Sequence, residues 1–271
     1  DAPDSKSGTA RCVGSSPTRG TTFCRATALP KRGGVAVDPE GTDMTEKHII
    51  RNRHKKRIAA IVDSGGDKGL VFVMHGLGGY KEDVHAASFA EWFIDRGLTV
   101  IRFDTTNTLG ESEGKIENAT ITNYFEDLED IVAWARTRSW YREPFVMTGH
   151  SLGGICTALY AQKYPDKVRA LAPISTVVSG RLSVEAHERH EPERFAEWKK
   201  TGWREDESRS RPGLIKRLPW AHIEDRLKYD LIPKAKKMKM PVLLAVGELD
   251  ASTPPDHVKL FYDALMCDKE F

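Results

Sequence analysis

The stretch Val146-Met-Thr-Gly-His-Ser-Leu-Gly-Gly-Ile155 follows Phe145 and carries an apolar run straight into a serine boxed by glycines. Beyond the serine, Ile155 to Tyr164 has helical spacing until Pro165, which stops a helix because it has no amide hydrogen to donate. A strand that turns this sharply into a helix strains the residue at the corner. Only small residues then fit two positions before it and two after it. Gly149 and Gly153 occupy those positions. The stretch predicts strand, tight turn and helix, with the hydroxyl of Ser151 raised above a sheet edge.

The alternation continues outward. Leu70 to Met74, Thr99 to Phe103, Val168 to Ile174 and Val242 to Val246 are apolar runs of the kind that suits parallel strands covered on both faces. Ile49 to Arg51 and Arg57 to Val62 predict two short strands joined by a basic turn. Between the runs, Ser88 to Ile94 places Phe89, Trp92 and Phe93 on one side. Ile121 to Trp140 repeats apolar residues at Phe125, Leu128, Ile131 or Val132, and Ala135, as a helix packed by one face does. The fold class is α/β, with a mostly parallel, doubly wound sheet. One segment, about 179–240, breaks the rhythm: it is densely charged, holds Trp198, Trp203 and Trp220, and shows no strand pattern. It predicts a mostly helical cap inserted over one end of the sheet, with the tryptophans packed beneath it.

At 271 residues and 39% hydrophobic content the chain can build one large core. A net charge of +2 gives no global field toward nucleic acid or a membrane surface. No apolar run approaches the roughly 20 residues of a membrane-spanning helix, and the expectation is a cytoplasmic protein. Cys12, Cys24, Cys156 and Cys267 are scattered, with no metal-ligand spacing, and read as free thiols. Residues 1–43 are rich in Gly, Ser, Thr, Pro and Arg without periodicity and predict an unstructured tail. Parts of this tail can be encoded as the paired arms of a transfer-RNA gene read through in frame, which would make Met44 the start. Residues 44–271 form the folded domain.

Met74-His-Gly-Leu-Gly-Gly79 follows the first apolar run of the core. Its glycines let backbone approach a reacting carbonyl, so the amide of Leu77 pairs naturally with that of Leu152 as an oxyanion donor. His75 and His150 flank these two loops, and with Gly76, Gly149 and Gly153 they read as their support. From about Met44 onward the chain resembles an α/β-hydrolase of the serine aminopeptidase or acyl-esterase type. His75-Gly-Leu-Gly-Gly79 is similar to that group's oxyanion loop and Gly149-His-Ser-Leu-Gly-Gly154 to its nucleophile elbow. Phe103-Asp104 and Gly110-Glu-Ser-Glu-Gly114 resemble a further family segment, but Thr105-Thr-Asn-Thr-Leu109 replaces its Arg-Gly-His portion, which normally walls the pocket.

The resemblance implies Ser151 as nucleophile and an acid after a later strand. Asp250, in Val246-Gly-Glu-Leu-Asp250, fits that place, with Glu248 as the other carboxylate and Asp256 as a helix cap. It implies a small-molecule acyl substrate (ester, thioester or small amide), no metal and no cofactor. The base is expected on the loop after a last strand opened by Lys269-Glu-Phe271, so the chain reads as lacking its C-terminal strand, histidine loop and helix. His257, His75 and His150 are weaker candidates. His187 and His190 are one residue short of zinc-helix spacing and read as a solvated charged face. A non-catalytic ligand-binding protein of the same fold and an acyltransferase are the alternatives.

Overall fold

The computed structural model describes residues 45–208 and 211–271. The expectations for residues 1–43, and the start at Met44, lie outside the described residues. In chain order the elements are β1 (Thr45–Arg51), β2 (Arg57–Ser64), β3 (Leu70–Met74), α1 (Val84–Ile94), β4 (Thr99–Phe103), α2 (Ile121–Ala135), β5 (Phe145–His150), α3 (Leu152–Lys163) and β6 (Val168–Ile174). There follow α4 (Gly180–His190), α5 (Pro192–Thr201), β7 (Trp203–Glu207), β8 (Ile215–Pro219), α6 (Ala221–Arg226), β9 (Val242–Leu243), α7 (Pro255–Ala264) and β10 (Lys269–Glu270).

Eight strands form one sheet in the order β1-β2-β4-β3-β5-β6-β9-β10. β2 runs antiparallel to both neighbours, β1 and β4, and the pairs from β4 to β10 are parallel. β3 lies fully buried between β4 and β5. Its alternate side chains serve two cores. Val71 and Val73 join Val100 beneath Ala86 and Ala90 of α1, whereas Leu70, Phe72 and Met74 join Phe145, Tyr124, Leu128 and Ile155 under α2 and α3. Unbroken apolar strands are thus explained by helices on both faces.

β4 pairs on one side of β3 and β5 on the other, so the connections leaving β3 and β5 diverge at the carboxyl ends of adjacent strands. Such a switch point opens a crevice in a parallel sheet. The loop after β3 and the turn after β5 meet there.

Several boundaries differ from expectation: β1 and α1 each begin four residues earlier, at Thr45 and Val84, and α3 begins at Leu152. α2 ends at Ala135 rather than near Trp140, where the hydroxyl of Thr137 donates to the Trp134 carbonyl (2.8 Å), competing with a further helical turn. β9 keeps ladder pairing only at Val242–Leu243, although Ala245 still bridges Ile174. The inserted segment is corrected more substantially. It holds α4, α5 and α6 as expected, but also the antiparallel hairpin β7–β8. Here opposite charges face each other across the strands: Asp206 opposite Lys216, and Glu205 opposite Arg217 with a 3.3 Å ion pair. Such pairs support a hairpin without apolar alternation. Of the three tryptophans, Trp198 is buried and meets Trp220 at 5.8 Å, while Trp203 stays 38% exposed beneath the guanidinium of Arg217.

Candidate active site

Ser151 caps α3 at φ 52°, ψ −112°, in the left-handed region that a side chain with a Cβ occupies only under strain. Its amide donates to the Ile174 carbonyl (3.0 Å), which fixes the corner to β6. The flanking glycines are required sterically. A Cβ on Gly149 would lie 2.6 Å from the Gly153 carbonyl, and one on Gly153 would lie 2.5 Å from the His75 oxygen. Leu152 supplies the first amide of α3, where no intrahelical acceptor exists. Among the described residues, neither this amide nor that of Leu77 donates to a backbone oxygen.

Both leucines line one cavity of about 600 Å³ with Ser151 and Asp250. Asp250 closes a turn by donating its amide to the Gly247 carbonyl (3.0 Å). Its carboxylate accepts from the Ser252 amide (2.9 Å), the Thr253 amide (3.0 Å) and the Thr253 hydroxyl (2.9 Å). Glu248, the other carboxylate, is exposed and does not line this cavity. Asp256 does not cap α7: Pro254 holds that position, and Asp256 sits in the first turn facing Arg189 at 3.6 Å.

The loop histidines have structural surroundings. His75 is buried, its Nδ1–H donating to the Gly76 carbonyl (2.8 Å) while Nε2 accepts from the Thr105 amide (3.1 Å). Burial pushes its pKa below the usual imidazole range. His150 lines the cavity and stacks flat on His85 at 4.5 Å; burial, then the neighbouring His85, lowers its pKa. Among the described residues no histidine hydrogen-bonds to Asp250. Nor do Thr105–Leu109 wall the cavity. They are buried, and Thr106 donates its amide (2.6 Å) and hydroxyl (2.8 Å) to Asp127.

The profile of the family described as "Serine aminopeptidase, S33" matches residues 65–212, which contain both loops and the elbow. The chain belongs to this family. It is an α/β-hydrolase, and the same fold appears in Est1E from Butyrivibrio proteoclasticus, solved with ferulic acid bound. That structure has a TM-score of 0.67 at 21% identity, over 82% of this chain and 88% of that one. The Escherichia coli "Uncharacterized 31.7 kDa protein in traX-finO intergenic region" is 25% identical over 225 residues, 72% of this chain and 77% of its own. The Bos taurus "Palmitoyl-protein thioesterase ABHD10, mitochondrial" is 26% identical over 193 residues, 70% of this chain and 59% of its own.

Among the described residues no group of three or more His, Cys, Asp or Glu side chains could hold a metal ion, and no helix is long and apolar enough to cross a membrane. The inserted segment walls the cavity through His187, Trp198, Arg204 and Arg226, and the family match covers the first three of them. His187 is not on a solvated face, as its sequence surroundings suggest. It is partly buried, edge-on to Trp198 and 3.2 Å from Arg226, while His190 is exposed. The available signal was Ser183 and His187, four residues apart and so on one side of α4.

Behind this wall, His222 donates from Nδ1 to the Ala119 carbonyl (2.7 Å) and accepts from Arg226 at Nε2 (2.7 Å). Burial, then the Arg226 charge, pushes its pKa down from 6.5 to about 3. Below pH 6.5 the unfolded imidazole takes up a proton that the folded one refuses, so this group costs stability as pH falls through that window, by about 1.4 kcal/mol per pH unit. Urea midpoints between pH 7 and pH 4 are expected to fall more steeply for wild type than for His222→Gln. Parallel slopes would rule this out.

Proposed function

We propose that the chain is a serine hydrolase that cleaves an ester, thioester or small amide through an acyl-enzyme on Ser151. The observation that carries this reading is the strained Ser151 at the head of α3, sharing one cavity with the Leu77 and Leu152 amides and with Asp250. In this proposal Ser151 Oγ bonds to the acyl carbon while its proton passes to a base histidine, which this fold places after the acid in chain order. The two amides hold the oxyanion. The bond to the leaving oxygen, sulfur or nitrogen then breaks, and the leaving group takes the proton. Water, deprotonated by the same histidine, releases the acid. Asp250 orients the imidazole.

An ester or thioester substrate is favoured over a peptide, in keeping with the thioesterase name of the bovine relative. A fluorophosphonate applied to the full-length protein is expected to leave one adduct, on the peptide containing Ser151. An adduct elsewhere, or none alongside turnover of acyl esters, would overturn the assignment. Rates across acyl esters, acyl thioesters and aminoacyl amides test the substrate class, and fastest turnover of the amides would overturn the preference.

A further inference from the structure

The cavity wall contains a buried cation with no counter-charge. Arg226 is 6% exposed. Its Nη1 donates to the Ser183 hydroxyl (2.7 Å) and toward His187 Nε2 (3.2 Å), and its Nη2 donates to His222 Nε2 (2.7 Å). All three acceptors are neutral. Burial, then the nearby Arg226 charge, pushes His187 down to about 3, as it does His222, so neither imidazole becomes a second cation near neutral pH. Among the described residues no carboxylate pairs with Arg226. Its Nε and the Nε1 of Trp198 are buried donors without an acceptor, and both residues line the cavity that holds Ser151.

The contrast with Arg204, on the same wall, is sharp. Arg204 is neutralised by Asp206 at 2.7 Å and Glu191 at 2.8 Å. Removing a guanidinium from water costs several kcal/mol, and proteins ordinarily offset this with a paired carboxylate. Here the wall holds spare donors and one uncompensated positive charge, and what it lacks is an anionic acceptor.

We propose that Arg226 receives a carboxylate on the non-reacting end of the substrate, so that the enzyme acts on half-esters or half-thioesters of dicarboxylic acids. This rests on the reading of Ser151 as nucleophile. A planar, singly charged carboxylate matches the guanidinium fork. A phosphate dianion asks for a second uncompensated cation, and the neighbouring Arg204 is already paired. When the substrate binds, its carboxylate supplies the missing counter-charge while its carbonyl lies at the elbow.

Calorimetric titration of the full-length protein with glutarate, glutaramide and inorganic phosphate tests the site without turnover. Glutarate is expected to bind and glutaramide not. Arg226→Met is expected to weaken glutarate by about 100-fold and Arg226→Lys by less, since truncating one partner of a buried charge pair leaves the other charge uncompensated. Equal binding of the diamide, tighter binding of phosphate, or full glutarate affinity in Arg226→Met would each overturn the proposal. If neither variant folds, the wild-type comparison of glutarate with glutaramide decides it.

Kinetics separate this proposal from the one beneath it. Wild type is expected to favour mono-p-nitrophenyl glutarate over p-nitrophenyl butyrate in kcat/KM, and that ratio is expected to collapse in Arg226→Met. Hydrolysis of the butyrate ester without glutarate binding leaves the hydrolase and removes the carboxylate site. Glutarate binding with neither ester cleaved leaves the site and removes the hydrolase.

Discussion

Ser151→Ala in the full-length protein is expected to lower kcat/KM toward an activated ester by on the order of 10⁵-fold, with no loss of thermal stability. The substitution removes Oγ and leaves the corner intact, because what holds the corner is backbone: the Ser151 amide on the Ile174 carbonyl and the close passage of Gly149 over Gly153. In the proposed mechanism the residual rate comes from the Leu77 and Leu152 amides and from binding alone. Asp250→Asn is expected to cost about 10⁴-fold, because an amide in that place favours the wrong imidazole tautomer. The double variant is expected to be no slower than Ser151→Ala, since an orienting acid has nothing to act on once the nucleophile is gone. Stopped-flow or discontinuous assays over several enzyme concentrations measure all three. If Ser151→Ala kept more than about one per cent of the wild-type rate, another nucleophile would have to be sought.

The elbow was legible in the sequence because its information is local. A strand, a one-residue corner and a helix impose glycine at fixed offsets from Ser151, and no distant contact is needed to see this. The buried strands were legible for a similar reason: β3 is apolar at every position because both faces are covered. The hairpin β7–β8 was hidden because its strands alternate charges rather than apolar residues, and the pairing of Asp206 with Lys216 exists only once the turn between them has closed. Thr105–Leu109 suggested a pocket wall by position in the family pattern. The structure instead buries these residues around Asp127, an acceptor more than twenty positions away for Thr106. Arg226 and His187 were the least legible. Each is one charged or titratable residue in a charged segment, and only the packing of α4 against α6 brings them together over the cavity.

The largest stability loss is expected from Asp104→Ala, at about 3–5 kcal/mol. Lys81 is almost wholly buried, its ammonium 3.0 Å from Asp104 Oδ2 and 3.6 Å from Glu82, and also paired with Glu111. Burial pulls its pKa down, but its bonds to Glu111 and Asp104 outweigh this and hold the group above its ordinary value. Asp104 is the one wholly buried partner; the side chains of Glu111 and Glu82 are 60% and 44% exposed, so their attraction is screened by water. Asp104 also accepts the amides of Lys81 (2.6 Å) and Glu111 (2.7 Å), and both lose that acceptor in the variant. The residue thus clamps the loop after β3 to the loop after β4. Because the loop after β3 carries the Leu77 amide, activity is expected to fall along with stability. Adding Lys81→Met to Asp104→Ala is expected to recover part of the stability, since a buried charge without its partner costs more than no charge at all. It is not expected to recover the activity, because the clamp on the loop is still missing. Urea denaturation at neutral pH separates the two contributions, and an additive loss in the double variant would show that Asp104 acts on something other than Lys81.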